Sequence, residues 1–165
     1  MADFIDRNGS ASKLKLIKPA IPEQDRKDCL ESKLATSGLR FTRQRQKVFE
    51  VVAESKDHPT AEEIFHRTQE RMPEISFATV YNCLSLLVQC GLVKQVTLDR
   101  TPTRFCPNMR EHYHFFCDVC GTVTDIELPS FGCFAKVSLP VGFKVASCDM
   151  SLRGTCPKCA AKSAE

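Results

Sequence analysis

The N-terminal segment, MADFIDRNGSASKLKLIKP, lacks the apolar stretch that a secretory signal peptide requires. No later segment approaches the roughly 18 apolar residues that a membrane-spanning helix needs. The formal net charge of +3 is too small to indicate a nucleic-acid partner by itself. These absences predict a soluble, cytoplasmic protein without a membrane partner, built from one or two small domains.

Cysteine, in contrast, is abundant, with ten in 165 residues. Four of them form two CxxC pairs, Cys117 with Cys120 and Cys156 with Cys159, separated by 35 residues. Two such pairs are typical of a tetrahedral Cys₄ zinc site, which would stabilise the C-terminal half. Disulfide bonds or redox-active CxxC motifs are the alternative interpretation.

The first half of the chain has the patterns of helices. Residues 1–22 are polar and basic and are predicted to form a flexible arm, and residues 24–37 are predicted to form a first helix. Thr42, Thr60 and Ser76 each stand before a run with helical periodicity and are predicted N-caps of three more helices.

Beyond the fourth helix the pattern changes to short strands. The segments LVKQVTL and TRFC, separated by a turn, predict a hairpin. Helices followed by a hairpin indicate a winged helix-turn-helix. The predicted organisation is therefore α+β, with a DNA-binding winged-helix domain at 23–98, a hinge at 99–103 and a small metal-binding domain at 104–165.

The fourth predicted helix would face the DNA major groove in such a fold. It has no charged side chain, and its first turns present hydroxyl and amide groups that can reach phosphates or base edges. These candidate contacts are Ser76, Thr79, Tyr81 and Asn82. An ordinary amphipathic helix with a neutral outer face remains the alternative.

A basic run precedes the second helix. Arg40, Arg43, Arg45 and Lys47 occur in RFTRQRQK, which has no acidic residue. Cations beside a helix N-terminus favour phosphate binding, and an arginine can also enter a narrow A·T-rich minor groove. Taken alone, the run is equally consistent with a solvated basic surface.

A second set of metal-binding residue types lies around the first CxxC. His112 and His114 form an HxH, whose imidazoles share one face of a strand. Other candidate donors are Cys106, Asp125 and, distant in sequence, His58. A mixed nitrogen, oxygen and sulfur set suits a regulatory transition metal. Two surface histidines on an edge strand are the alternative.

Five motifs together resemble the Fur (ferric uptake regulator) family of metal-dependent repressors. They are LRFTRQRQKVFEVV, DHPTAEEIF, ISFATVYNCLSLLVQCGLV, EHYHFFCDVCG and GTCPKC. The resemblance implies a winged-helix domain, a small α/β dimerisation domain with a structural Cys₄ zinc, and a homodimer on palindromic A·T-rich double-stranded DNA. It also implies that Tyr81 contacts DNA from the recognition helix and that Arg40 enters the minor groove.

The resemblance further implies a regulatory site shared between the two domains. DHPTAEEIF, ATVYN, GLVK and HYH are most similar to the peroxide-sensing branch, whose regulatory Fe²⁺ or Mn²⁺ would fall on His58, His112, His114 and Asp125. Cys106 departs from that branch, which has Asp there, and is similar to the zinc-sensing branch. The expected function is iron, manganese or peroxide sensing, with a zinc-responsive repressor of zinc uptake genes as the alternative.

Another class of function also fits a CxxC protein. A thiol redox protein or a zinc-stapled adaptor would carry such motifs without binding DNA. No cysteine stands at a recognised spacing from a catalytic base, so an enzyme is not expected. Cys133 and Cys148 lie near the C-terminal strands and could join a redox pair, but they are not predicted ligands.

Overall fold

The computed structural model describes residues 3–5, 11–13, 25–98, 100–126, 140–144 and 151–162. These residues form an α+β fold of helices and small sheets. In chain order the elements are β1 (Asp3–Ile5), β2 (Ala11–Lys13), α1 (Arg26–Thr36), α2 (Arg43–Glu54), α3 (Ala61–Gln69), α4 (Phe77–Gln89), β3 (Lys94–Val96), β4 (Arg104–Cys106), β5 (Tyr113–Cys117), β6 (Val123–Ile126), β7 (Ser151–Gly154) and α5 (Pro157–Lys162).

The chain divides into two compact units. The helical unit is Lys18–Arg110, which holds α1 to α4 and the β3–β4 hairpin. The strand unit is Met1–Ile17 together with Glu111–Glu165, which holds the other five strands and α5. None of the helices in the described ranges is long and apolar enough to cross a membrane.

Apolar residues at helical spacing build the core of the helical unit. Val48, Phe49, Val51 and Val52 of α2 are all buried, which confirms the predicted apolar face. They pack in one cluster with residues of α1, α3 and α4. Since burial of apolar surface is the main favourable term in folding, this cluster fixes the arrangement of the four helices.

The three predicted N-caps are confirmed. The hydroxyls of Thr42 and Ser76 accept hydrogen bonds from the backbone N–H groups three residues later, at 3.3 and 3.1 Å. Thr60 forms a full capping box: its hydroxyl accepts from Glu63 N at 3.3 Å, and Glu63 Oε2 accepts from Thr60 N at 2.7 Å. Each cap satisfies backbone donors that the helix itself leaves unpaired.

The predicted hairpin is also confirmed, and it carries a further backbone connection. β3 and β4 are antiparallel, with Lys94 opposite Cys106. Phe105 N donates to Pro59 O at 2.9 Å, and Thr60 forms an isolated bridge with Arg104. The loop before α3 is therefore bound to the outer strand of the hairpin.

The sheet of the strand unit has β5 at its centre. β5 pairs antiparallel with β6 and parallel with β7, in the order β6-β5-β7. His114 lies opposite Asp125, and Cys117 lies opposite Gly154. This register places one donor cluster at the start of β5 and another at its end.

Several predicted boundaries differ from the observed ones or lie outside the described residues. The first helix is shorter than predicted at both ends, and the third ends at Gln69 instead of about residue 71. The division into units places residues 104–110 with the helices, and β4 within this range pairs with β3. The hinge at 99–103 stays a prediction. The arm at 1–22, apart from β1 and β2, and both Cys133 and Cys148 lie outside the described residues.

Candidate metal centres and nucleic-acid interface

The four cysteines of the CxxC pairs meet at one end of the strand unit. Cys117 ends β5, Cys120 lies in the next turn, Cys156 follows β7 and Cys159 lies in α5. Their sulfur atoms all lie within 4.8 Å of one another, and Cys120 Sγ is 3.8 Å from Cys156 Sγ. Zn–S bonds of about 2.3 Å in a tetrahedron place neighbouring sulfurs about 3.8 Å apart, whereas a disulfide bond is about 2.05 Å long. The cluster therefore has the dimensions of a zinc site.

The backbone around this cluster supplies donors to the sulfurs. Cys156 N donates to Cys117 Sγ at 3.3 Å, and this bond, followed by that from Cys120 N, lowers the pKa of Cys117 to about 6. Hydrogen bonds with Cys156 and then Cys120 raise the pKa of Cys159 to about 12. Four thiolates so close together require a cation to neutralise their charge.

A second cluster lies at the other end of β5. The Nε2 atoms of His112 and His114 are 3.0 Å apart, and Asp125 Oδ1 is 3.4 and 3.5 Å from them. For metal–ligand bonds of about 2.1 Å, such separations correspond to angles of roughly 90–115° at a common centre. Three donors of the strand unit therefore converge as metal ligands do, which goes beyond the shared face that the HxH predicts.

The helical unit brings His58 and Cys106 together. Their ligand atoms lie within 4.8 Å of each other, although the residues are far apart in sequence. Both are buried, His58 at 5 % and Cys106 at 0 % exposed. Asn108 N donates to Cys106 Sγ at 3.4 Å. An imidazole and a thiol so placed form a pair of transition-metal donors.

Two residues that support this pair escaped the sequence analysis. Arg104 Nη1 donates to His58 O at 2.9 Å. The buried Asn108 also accepts from Arg110 N, at 3.2 Å, through its side-chain oxygen. The available signal for Arg104 was its position two residues before Cys106, which places both on one face of a strand.

The loop that carries His58 has a second support from α3. Arg67 donates from its two terminal nitrogens to Asp57, at 2.9 and 2.5 Å, and these hydrogen bonds lower the pKa of Asp57. Arg67 also donates to Ser55 Oγ at 3.0 Å. The loop is thus held before His58, through Asp57, and after it, through Pro59 O.

The candidate DNA-contacting residues of α4 occupy its N-terminal half. Tyr81 is 55 % exposed and Asn82 is also exposed. Ser76 caps the helix by accepting from Thr79 N, and the hydroxyl oxygens of the two residues lie 2.8 Å apart. Phe77, 46 % exposed, adds an aromatic ring that the sequence analysis did not single out. The exposed start of α4 is therefore polar and aromatic without charge.

The basic run lies at the N-terminus of α2. Arg40 and Arg43 are exposed, and the Arg45 guanidinium donates to Arg40 O. Lys47 forms an ion pair with Glu50 at 2.7 Å. The first turn of α2 has no acidic residue. The two exposed arginines provide the positive charge that attracts an anion, and the N-terminus of the helix provides backbone N–H donors.

Comparison with known proteins identifies the family. The sequence pattern of the Ferric uptake regulator family matches residues 36–153. The chain therefore belongs to the Fur family. It is 35 % identical over 137 residues to the peroxide operon regulator of Bacillus subtilis (strain 168), which covers 82 % of this chain and 94 % of the relative.

Solved structures show the same fold. The ferric uptake regulator Fur of Helicobacter pylori matches with a TM-score of 0.72 at 23 % identity, covering 87 % of this chain and 97 % of that chain. A zinc-bound manganese uptake regulator matches with a TM-score of 0.62 at 25 % identity, covering 77 % and 98 %. As a Fur-family protein the chain is a metal-dependent regulator.

Family membership also bears on the alternatives. Fur-family members are transcription regulators, not enzymes, and they bind DNA as dimers. This supports the metal-dependent regulator over a thiol redox protein or an adaptor without DNA binding.

Proposed function

We propose that this protein is a cytoplasmic, homodimeric repressor without enzymatic activity that binds palindromic A·T-rich DNA when a regulatory metal is bound. The observation that carries the proposal is the convergence of His112, His114 and Asp125 within the strand unit, a set of nitrogen and oxygen donors separate from the four clustered cysteines. A closed Cys₄ site serves structure, so a second site of mixed donors is the one suited to exchange its metal.

The Cys₄ cluster is proposed to hold the structural zinc. Cys117, Cys120, Cys156 and Cys159 join the end of β5 to α5, and the 3.8 Å sulfur separation supports tetrahedral binding. A zinc held there would stabilise the small α/β domain, for which a dimerisation role is proposed from family membership.

The regulatory metal is proposed to take ligands from both units. His58 and Cys106 would be contributed by the helical unit, and the converging cluster of His112, His114 and Asp125 by the strand unit. Ligands from two units would fix the angle between them and so match the two recognition helices of a dimer to the operator half-sites.

The proposed signal is iron, manganese or peroxide. This is supported by the 35 % identity to a peroxide operon regulator. Bound Fe²⁺ would supply the redox chemistry that consumes peroxide. Oxidation of the His58 or His112 imidazole by peroxide, with the peroxide reduced to water, would then weaken that histidine's bond to the metal, free the units from their fixed angle and release the DNA.

A second candidate signal is zinc, and Cys106 favours it. Its sulfur is buried and accepts a backbone hydrogen bond, and thiolates select zinc over iron or manganese. In the zinc branch that the chain resembles, another ligand often comes from the position that corresponds to Lys94, the first residue of β3. Here the Lys94 ammonium instead donates to Arg110 O at 3.0 Å. Which metal fills the second site at the lowest free concentration decides between the two signals.

The DNA-binding half of the proposal rests on a winged helix. The β3–β4 hairpin is the proposed wing and α4 the recognition helix. Proposed phosphate or minor-groove contacts come from Arg40, Arg43 and Arg45, and proposed major-groove contacts from Ser76, Thr79, Tyr81 and Asn82. The exposure of Tyr81 and Asn82 supports this assignment.

The double variant Arg40→Ala, Tyr81→Ala tests it. We expect metal-loaded protein to lose about 10²-fold in affinity for a duplex that the wild type selects from a random-sequence library, because a cation and a base contact disappear from each subunit. Fluorescence anisotropy at several salt concentrations measures this loss. The salt dependence should also become shallower.

A matched control removes an aromatic ring and a cation from the strand unit. Phe143 is 68 % exposed and Lys144 is exposed beside it. Phe143→Ala, Lys144→Ala should keep wild-type affinity for the same duplex. Equal affinities for all three proteins would contradict the proposed DNA contacts.

A further inference from the structure

The Arg104 side chain, on β4 of the hairpin, contacts both the loop that carries His58 and the start of α3. All three segments belong to the helical unit. Arg104 Nη1 lies 2.9 Å from His58 O and 3.6 Å from Glu63 Oε2. The same Glu63 oxygen accepts from Thr60 N. One guanidinium on β4 thus anchors the backbone of His58 and contacts the glutamate that caps α3.

His58 needs such an anchor because of its backbone conformation. Its φ is +52°, in the left-handed region that residues other than glycine seldom adopt. Such a conformation persists only where surrounding contacts hold it. A loop released from these contacts would change φ at this position and turn the imidazole away from its present direction.

The strand that anchors the loop also carries the thiol. Cys106 follows Arg104 by two residues on β4, so the two side chains share one face. Between them, Phe105 N donates to Pro59 O at 2.9 Å. Contacts from two consecutive residues of β4, Arg104 and Phe105, therefore hold the His58 loop beside the strand that carries Cys106. Of these two contacts, the one from Arg104 uses a side-chain donor and reaches the carbonyl of His58 itself.

We propose that Arg104 is a positioning residue for the regulatory metal. It holds His58 in the left-handed conformation in which the imidazole and the Cys106 thiol face one metal, and it touches no metal or DNA itself. This inference rests on the proposed function, since it assigns how one half of the regulatory site is kept in place.

The inference predicts a shift in metal affinity with little change in the DNA complex. Loss of a residue that orients a metal ligand typically costs 10–100-fold in affinity. In Arg104→Ala we expect the Co²⁺ concentration for half-maximal DNA binding to rise about tenfold. At saturating Co²⁺, DNA affinity should return to within about twofold of wild type, because Arg104 has no DNA contact in this account.

The experiment uses full-length, zinc-containing protein under anaerobic conditions, with added Co²⁺ as the probe. Cobalt absorption follows filling of the second site, and anisotropy follows binding of the selected duplex. Arg104→Lys keeps one donor toward His58 O and should recover most of the lost affinity. Arg71→Ala, which breaks an ion pair with Glu54 at the far end of α3, serves as the control and should match the wild type.

The outcomes separate this inference from the function on which it rests. If wild-type protein takes up no Co²⁺ beyond its zinc, the proposed function fails. If the wild type responds and Arg104→Ala responds at the same Co²⁺ concentration, the positioning role is overturned while the function stands. Loss of the structural zinc in Arg104→Ala, or weak DNA binding at saturating Co²⁺, would also overturn it. Should Arg104→Ala not fold, Arg104→Met, which keeps the length of the side chain but removes the donor, takes its place: a shift of about tenfold supports the role, and no shift overturns it.

Discussion

Cys156→Ser is expected to lose the zinc of the strand unit and, with it, the fold of that unit. Serine keeps the backbone N–H that donates to Cys117 Sγ, so the variant removes little beyond one thiolate. Structural zinc sites contribute about 10–16 kcal/mol of apparent binding free energy, and the loss of one of four ligands should weaken binding by at least about 10²-fold. Zinc content by mass spectrometry and thermal unfolding measure both effects.

A cysteine outside the cluster provides the control for this variant. Cys29 is half-buried on α1, in the other unit. Cys29→Ser should retain one zinc per chain and unfold close to the wild-type temperature. A Cys156→Ser protein that keeps a full equivalent of tightly bound zinc would show that the four sulfurs do not form the zinc site.

His112→Ala is expected to abolish metal-dependent DNA binding while the structural zinc stays in place. The His112 side chain is fully buried, and its Nε2 lies 3.0 Å from His114 Nε2 and 3.4 Å from Asp125 Oδ1. Removing one of the converging donors should weaken the second metal by about 10²-fold. Isothermal titration with Mn²⁺ and Zn²⁺, followed by anisotropy on the selected duplex, measures the two losses.

The chain offers a matched histidine outside any donor cluster. His66 is exposed on α3 and packs against the Phe65 ring. His66→Ala should bind the second metal and the duplex as the wild type does. If His112→Ala did the same, the cluster around β5 would have no part in regulation.

Local sequence signals predicted the parts of the structure that depend on nearby residues. The caps at Thr42, Thr60 and Ser76 each join atoms within three residues, so the sequence pattern contains the whole interaction. The spacing within each CxxC pair is also local. Whether the two pairs meet depends on how the strand unit folds. The HxH predicted a shared face, which the 3.0 Å nitrogen separation confirms.

The contacts that escaped prediction are those between distant positions. Arg104 and His58 are 46 residues apart, and neither a helical nor a strand period relates them. Pairing of the loop before α3 with β4 depends on how α2, α3 and the hairpin pack. The support of Cys106 by Asn108 is close in sequence, but it depends on the backbone path after β4, which no strong local signal specified.

Metal-dependent repression is decided by the anaerobic DNA binding of the wild-type protein with Fe²⁺, Mn²⁺, Zn²⁺ or no added metal. The duplex is the one that the protein selects from a random library, with a scrambled duplex of equal composition beside it. We predict tight, sequence-specific binding only when a metal beyond the structural zinc is bound, and loss of the Fe²⁺-dependent binding after peroxide if iron is the signal. Equal binding with and without added metal, or no preference for the selected duplex, would contradict a metal-dependent repressor.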